Sequence, residues 1–319
     1  MKKFLLSLVF LVAGCATGPI PPGHDDNLVL ESHPLVGRIL DVDSESWLTR
    51  DALIDAVEKA DYLLLGEIHD NAVHHRIQEE IVRHLATLDR SVSISFEMID
   101  LTQGKDIASG DLDSAEALID YLSSTQSGWG YRRHYAGVIE AAFDAGFPIL
   151  PANLERSKLM EMARGEVEIN PMVRELLDRV ALTEHDLEHI TDEIAEAHCG
   201  YLVESMVPPM VAAQRFRDAI MASSLLESDA QTRVLIAGTG HTRDDRGVPR
   251  FVRERNPDAI IISLGLVEVV QEAENLDTYL AMWDHAELPF DYVWFTPRAA
   301  RSDPCEEMRT HMEERDSTD

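Results

Sequence analysis

The chain has 319 residues, 45% of them hydrophobic, and carries 58 acidic against 28 basic side chains for a formal charge of −30. That length holds one large domain or two ordinary ones, and the apolar fraction supplies a globular core and excludes general disorder. So acidic a surface disfavours nucleic acid and repels anionic lipid headgroups.

At the N terminus, Lys2 and Lys3 precede an apolar run from Phe4 to Ala13, followed by Gly14 and Cys15. The run is too short for a bilayer span, which takes about 20 helical residues, and it has the layout of an export signal. Its ending, Val12-Ala13-Gly14-Cys15, resembles the lipobox of bacterial lipoproteins. That resemblance implies removal of residues 1–14 as a signal peptide and acylation of Cys15. Ala16 in place of an Asp favours sorting to the outer membrane, so the expected location is the bacterial cell envelope. The acidic body would then be held at the membrane by acyl chains and not by electrostatics. Residues 15–34, rich in Pro and Gly, read as a lipidated tether.

Beyond the tether, short apolar runs alternate with helical patterns. YLLLG (62–66), SVSISFE (91–97), FPILPAN (147–153), RVLIAGTG (233–240), AIIISLGLVE (259–268) and DYVWFT (291–296) read as strands. Most are continuous apolar runs, which suits strands buried on both faces of a sheet. Helical stretches fall at 73–88, 136–145, 154–164 and 203–227. The alternation predicts an α/β domain, spanning 35–307, with a largely parallel central sheet flanked by helices.

The interval between the third and fourth of these strands is too long for a single crossover helix. Its charged segments PMVRELLDRV and LTEHDLEHITDEIAEAH predict a helical subdomain inserted at about 155–230. Residues 308–319 form a polar tail, and the sequence has no internal repeat.

Open parallel sheets place ligands at the carboxyl ends of their strands. At those ends stand Gly66-Glu67-Ile68-His69, then Glu97 in FEM, Asn153 in PAN, and Gly238-Thr239-Gly240-His241. Two Gly-x-x-His segments, each after a buried strand, are the informative feature. Glycine lets the backbone turn sharply and lets a neighbour approach closely. Glu67, His69, Glu97 and His241 are candidate ligands for a divalent ion such as Zn, Mn, Fe or Co. In that reading a bound water is the nucleophile and Glu67 or Glu97 the base. The same groups also fit a metal-free acid–base pocket, or a polar rim that holds propionates. His75 and Glu79 lie at i and i+4 and read as a helix-face ion pair.

The HExxH, G-x-S-x-G, Walker and Rossmann patterns are absent from the sequence, which removes the commonest hydrolase and nucleotide readings. So is CxxCH, so any haem would be held non-covalently. Cys199 and Cys305 lack CxxC partners and, in an oxidising compartment, are a disulfide candidate.

LLLGEIHDNAVHHRIQEE, FEM, PAN at 151–153, AAQRFRDAIMA at 212–222, AGTGHTRDDRGVP at 237–249 and VWFTPRAARSDPCEE at 293–307 together resemble the ChaN-like proteins. These are iron-regulated, haem-binding lipoproteins of the Tiki/ChaN/erythromycin-esterase superfamily. The resemblance implies non-covalent haem held between two subunits in iron acquisition, with Glu67, His69, Glu97 and His241 as the superfamily's polar site. Other branches imply the alternative, a divalent-metal-dependent protease or esterase. An exposed Tyr or His is the usual axial haem ligand. The candidates are Tyr131, His134 and Tyr135 in GWGYRRHY, and His198 and Tyr201 in HCGY. Gln214 and Asp218 share a helix face; with Arg215, Asn153 and His75 they are candidates to support the site from behind.

Overall fold

The structure is a computed structural model that describes residues 27–125, 127–163, 165, 170–282, 288–302, 305, 306 and 309. Cys15, the signal peptide, most of the tether and nearly all of the polar tail lie outside the described residues. Among the described residues no helix is long and apolar enough to cross a membrane.

The chain begins with three short strands, β1 (Leu28–Val29), β2 (Ile39–Asp41) and β3 (Ser46–Leu48), and helix α1 (Arg50–Val57). Next come β4 (Tyr62–Glu67), α2 (Ala72–Leu85), β5 (Val92–Asp100), α3 (Gly104–Ala108), α4 (Ala115–Thr125), α5 (Tyr131–His134), α6 (Ala136–Asp144) and β6 (Ile149–Asn153). A helical segment follows: α7 (Arg156–Ala163), α8 (Pro171–Arg179), α9 (Glu184–Ala197) and α10 (Val207–Leu226). The chain then returns through β7 (Thr232–Gly238), α11 (Thr239–Thr242), α12 (Val248–Arg255), β8 (Ile261–Glu268), α13 (Leu276–Met282), β9 (Tyr292–Thr296) and β10 (Arg298–Ala299).

Eight strands form one sheet in the order β3-β2-β9-β8-β4-β7-β5-β6. The six strands from β9 to β6 are mutually parallel, while β2 and β3 add to one edge antiparallel. The fold is therefore α/β with a mostly parallel sheet. β2 and β3 were not legible in the sequence, because three residues are too few to establish a period.

The YLLLG run is continuous because β4 is covered on both faces. Leu63 and Leu65 join a core with α1, α2 and α6, whereas Tyr62 and Leu64 join another with α8, α10 and α12. Each such side chain, fully buried, contributes roughly 1.5–3 kcal/mol. The turn out of β4 is fixed by Asn71. Its side-chain oxygen accepts from Val73 N–H to cap α2, and its amide donates to Glu268 and to the Pro297 carbonyl.

The helical segment packs against the second core through Leu159, Val173, Leu176 and Ile220. A disulfide between Cys199 and Cys305, with Cα atoms 5.5 Å apart, ties the turn after α9 to the C-terminal segment.

Candidate functional site

At the carboxyl end of the sheet, β4 ends in Glu67, β7 in Gly238, and the two are paired in register. Neighbouring β5 pairs with β7 as far as Phe96, and its register against β6 shifts between Phe96 and Asp100. Glu97 sits at that irregularity, so its side chain is released from the regular ladder toward β7. Bulges of this kind commonly re-aim a side chain beside a site.

The glycines of both Gly-x-x-His segments have a steric reason. A side chain at Gly66 would run into Thr242 Oγ1 from the neighbouring segment. A Cβ at Gly238 would stand 3.0 Å from His69 Nε2 and 3.6 Å from Glu97 Oε2. Both glycines thus let the strand ends close on one another. Gly240 meets nothing within 4 Å and has no such requirement.

Six side chains form a line of alternating bases and acids. His75 Nε2 is 3.3 Å from Glu67 Oε2, and Glu67 Oε1 is 2.9 Å from His69 Nδ1. His69 Nε2 then lies 3.7 Å from Glu97 Oε2, and Glu97 Oε1 lies 3.4 Å from His241 Nε2. His241 Nδ1 ends the line 2.5 Å from Asp218 Oδ1. The His69 side chain keeps 38% of its exposure while the others are buried, so the line reaches solvent there. The Trp129 ring meets His69 edge-on at 4.9 Å.

Burial opposes charge in this line, and at Glu97, Glu67, His241 and His69 the neighbours overcome it. Burial alone would raise Glu97; His241, His69 and the Gly238 N–H, donating at 2.8 Å, bring it down to about 2. Glu67, also opposed by burial, is held well below the usual carboxylate range by His75 and His69. Burial would lower His241, but Glu97 and Asp218 raise it to about 10. His69 is raised despite burial by Glu67 and Glu97, whereas burial raises Asp218. Glu97 is therefore ionised and His241 protonated near neutral pH, each compensating the other's charge.

The structure brings Glu67, His69, Glu97 and His241 together, but not as a metal-ligand set. Among the described residues no group of three or more His, Cys, Asp or Glu is placed to hold a metal ion. The groups meet in successive pairs, so the metal-centre expectation finds no support among the described residues.

The supporting residues divide. Asp218 and Gln214 reach His241, the amide of Gln214 lying 3.2 Å from Nδ1. Asn153 donates to the Glu97 backbone carbonyl at 3.0 Å and so braces the strand end. His75 turns to Glu67, while Glu79 pairs with Arg83, so the expected His75–Glu79 pair does not form. Arg215 does not support the histidines: its guanidinium donates to the carbonyls of Leu177 and Val180 and lies over Phe251.

Two of the haem-ligand candidates are likewise corrected. Tyr131 is 1% exposed and donates to the Met98 carbonyl, and Tyr135 is 0% exposed and donates to Glu67 Oε1 at 2.6 Å. Burial pushes both phenols up, Tyr135 further because Glu67 stands beside it. His134 packs against His75 and Tyr135. This segment is the wall behind Glu67, a role no local sequence signal announced, since Tyr135 is 68 residues away. His74, 0% exposed, accepts from Ile68 N–H and meets Thr296; burial lowers it to about 3, so it holds the loop as a neutral imidazole.

His198 and Tyr201 are placed differently. His198 Nδ1 donates to the Ile194 carbonyl at 2.7 Å, which leaves Nε2 as the lone-pair nitrogen. Tyr201 is 47% exposed, and Val203 at 65% and Met206 at 39% follow it closely in the chain.

The profile of a family described as haem-binding uptake, Tiki superfamily, ChaN, matches residues 53–252. The chain belongs to that family. Its fold is shared with a ChaN of Campylobacter jejuni, described with cofacially bound haem, at a TM-score of 0.63 and 23% identity over 80% of this chain and 95% of that one. An erythromycin esterase, EreC, in its open conformation overlaps at a TM-score of 0.42 with 12% identity, over 79% of this chain and 94% of that one. The type III effector HopBA1 does so at 0.42 with 14% identity, over 77% and 92%. No curated protein matches the sequence. All four residues of the polar array's centre and Asp218 fall inside the stretch matched by the ChaN family profile.

Proposed function

We propose that this ChaN-family chain is a lipid-anchored protein of the bacterial envelope that binds haem for iron acquisition, on the surface that carries Tyr201. The supporting observation is the exposure of Tyr201, Val203 and Met206 within one short stretch, the arrangement a flat apolar ligand with a phenolate-bound iron would use. Haem, when bound, would supply the iron; Tyr201 would hold it, with the Nε2 of His198 as a neighbouring donor. The cofacial haem of the Campylobacter relative supports a second copy placed against this surface. The lipobox ending at Cys15 supports the anchor.

Hydrolysis at the polar array has less support. A carboxylate held down at about 2 is a weak base, and an imidazole held up at about 10 is a weak acid near neutral pH, away from the range where proton transfer is efficient. A haemin titration followed by absorbance tests the haem reading. The expected result is a Soret band that shifts and weakens in Y201F and is further reduced in the double variant Y201F/H198A. An unchanged band in the double variant would overturn the placement, and no band in the unaltered protein would overturn haem binding.

A further inference from the structure

The haem reading uses Tyr201 and His198; His198 also lines an adjoining half-open cleft whose remaining residues that reading leaves unassigned. This cavity of about 440 Å³ lies between α9 and α10, and its base is formed by Gly240 and Arg246. Ile190, Glu193, Ile194 and Ala197 line it from α9 at i, i+3, i+4 and i+7. Met210, Ala213, Gln214 and Arg217 line it from α10 at the same spacing, and Leu159 adds to the apolar wall. Two amphipathic faces thus meet across a void of the size that small-molecule sites have.

Of the charged side chains in its lining, Glu193, Asp218 and Arg246 are paired. Glu193 is taken by Arg243, at 3.0 Å, and by the buried Arg246. Asp218 is taken by His241. Arg217 is left over: its Nε is buried and makes no hydrogen bond among the described residues. In a chain with 58 acidic and 28 basic residues, a half-buried guanidinium whose Nε is unsatisfied on a cleft wall would gain a hydrogen-bonding partner in an anion.

We propose that this cavity binds a short amphiphilic monoanion, with its carboxylate on Arg217 beside Gln214 and its apolar body against Ile190, Ile194, Met210 and Leu159. A planar guanidinium accepts a carboxylate through two parallel N–H···O bonds, which sets the head-group preference. The apolar walls set the tail preference. Because Gln214 and Asp218 belong both to this wall and to the support of His241, an occupant abuts the polar array from the helical side.

Calorimetric titration of the haem-free full-length protein with octanoate, 1-octanol and octylamine tests the assignment. Octanoate is expected to bind at one site per chain, 1-octanol at least about tenfold more weakly, and octylamine not at all. In R217M the octanoate affinity falls about tenfold or more, R217K retains part of it, and M210W, which fills the cavity, removes it. Equal affinity for octanoate and 1-octanol, or an R217M protein that binds octanoate unchanged, overturns the proposal. The ligand series on the unaltered protein decides even if a variant fails to fold. Loss of the haemin Soret band in folded R217M would also overturn it, by giving the guanidinium to haem.

Discussion

His241 Nδ1 and Asp218 Oδ1 stand 2.5 Å apart, both side chains buried, although one lies in the short helix α11 after β7 and the other in the middle of α10. The contact ties the helical layer to the sheet edge, and Asp218 with Glu97 holds the imidazole in its charged form. D218N keeps the shape and removes the charge. It is expected to cost about 1.5–3 kcal/mol, the range for a hydrogen bond to a charged group, measured by denaturant unfolding. Imidazole NMR would show the His241 pKa falling from about 10 toward the ordinary 6.5. An unshifted titration would show that Glu97 alone holds the proton.

The same array predicts how stability varies with pH. His241 is raised in the folded state from 6.5 to about 10, so its stabilisation is complete below 6.5 and is lost as pH rises through about 10. Glu97 is depressed from 4.5 to about 2, so its stabilisation is complete above 4.5 and is lost as pH falls toward 2. The melting temperature should therefore be highest between about pH 4.5 and 6.5 and decline on the alkaline side well before lysines titrate. E97Q should flatten both flanks. A protein whose Tm rises steadily from pH 7 to 10 would contradict the assignment.

Much of this site could be read from the sequence because it lies where strands end. Continuous apolar runs placed β4, β5 and β7 within a residue or two at most boundaries, and a parallel sheet brings such ends to one edge. Glu67, His69, Glu97 and His241 followed from that rule. What stayed hidden depends on side-chain direction. Arg215 and Asp218 are three residues apart on α10, yet one turns to the Val180 carbonyl and the other to His241. Tyr135 reads as an available ligand in the sequence, yet its hydroxyl donates to Glu67. Local spacing carries no information about either choice.

The two Gly-x-x-His glycines are expected to be intolerant for a reason that can be reversed. G66A would press a methyl group onto Thr242 Oγ1. Overpacking of this kind costs about 1–3 kcal/mol. T242A removes the obstructing hydroxyl, so the double variant G66A/T242A should be more stable than the sum of the single effects by a kilocalorie or so, about the coupling range for residues in contact. Strict additivity in denaturant unfolding would mean that the glycine serves something other than this close approach. G240A, which meets nothing within 4 Å, is the control expected to leave stability nearly unchanged.

The Cys199–Cys305 bridge joins residues 106 positions apart and lies two residues before Tyr201. Cys199 and Gly200 both have positive φ, at 55° and 74°, so the backbone turns tightly between α9 and the exposed Tyr201 stretch. The bridge restrains that turn from the C-terminal side. Replacing both cysteines by serine should cost about 2–5 kcal/mol, the usual range for losing a native disulfide. The local consequence is the more discriminating one. If the turn positions Tyr201 for haem, C199S/C305S should weaken haemin binding under conditions where circular dichroism shows the protein still folded, and reducing agent should do the same to the unaltered chain. Unchanged haemin affinity after either treatment would place the ligand surface away from this turn.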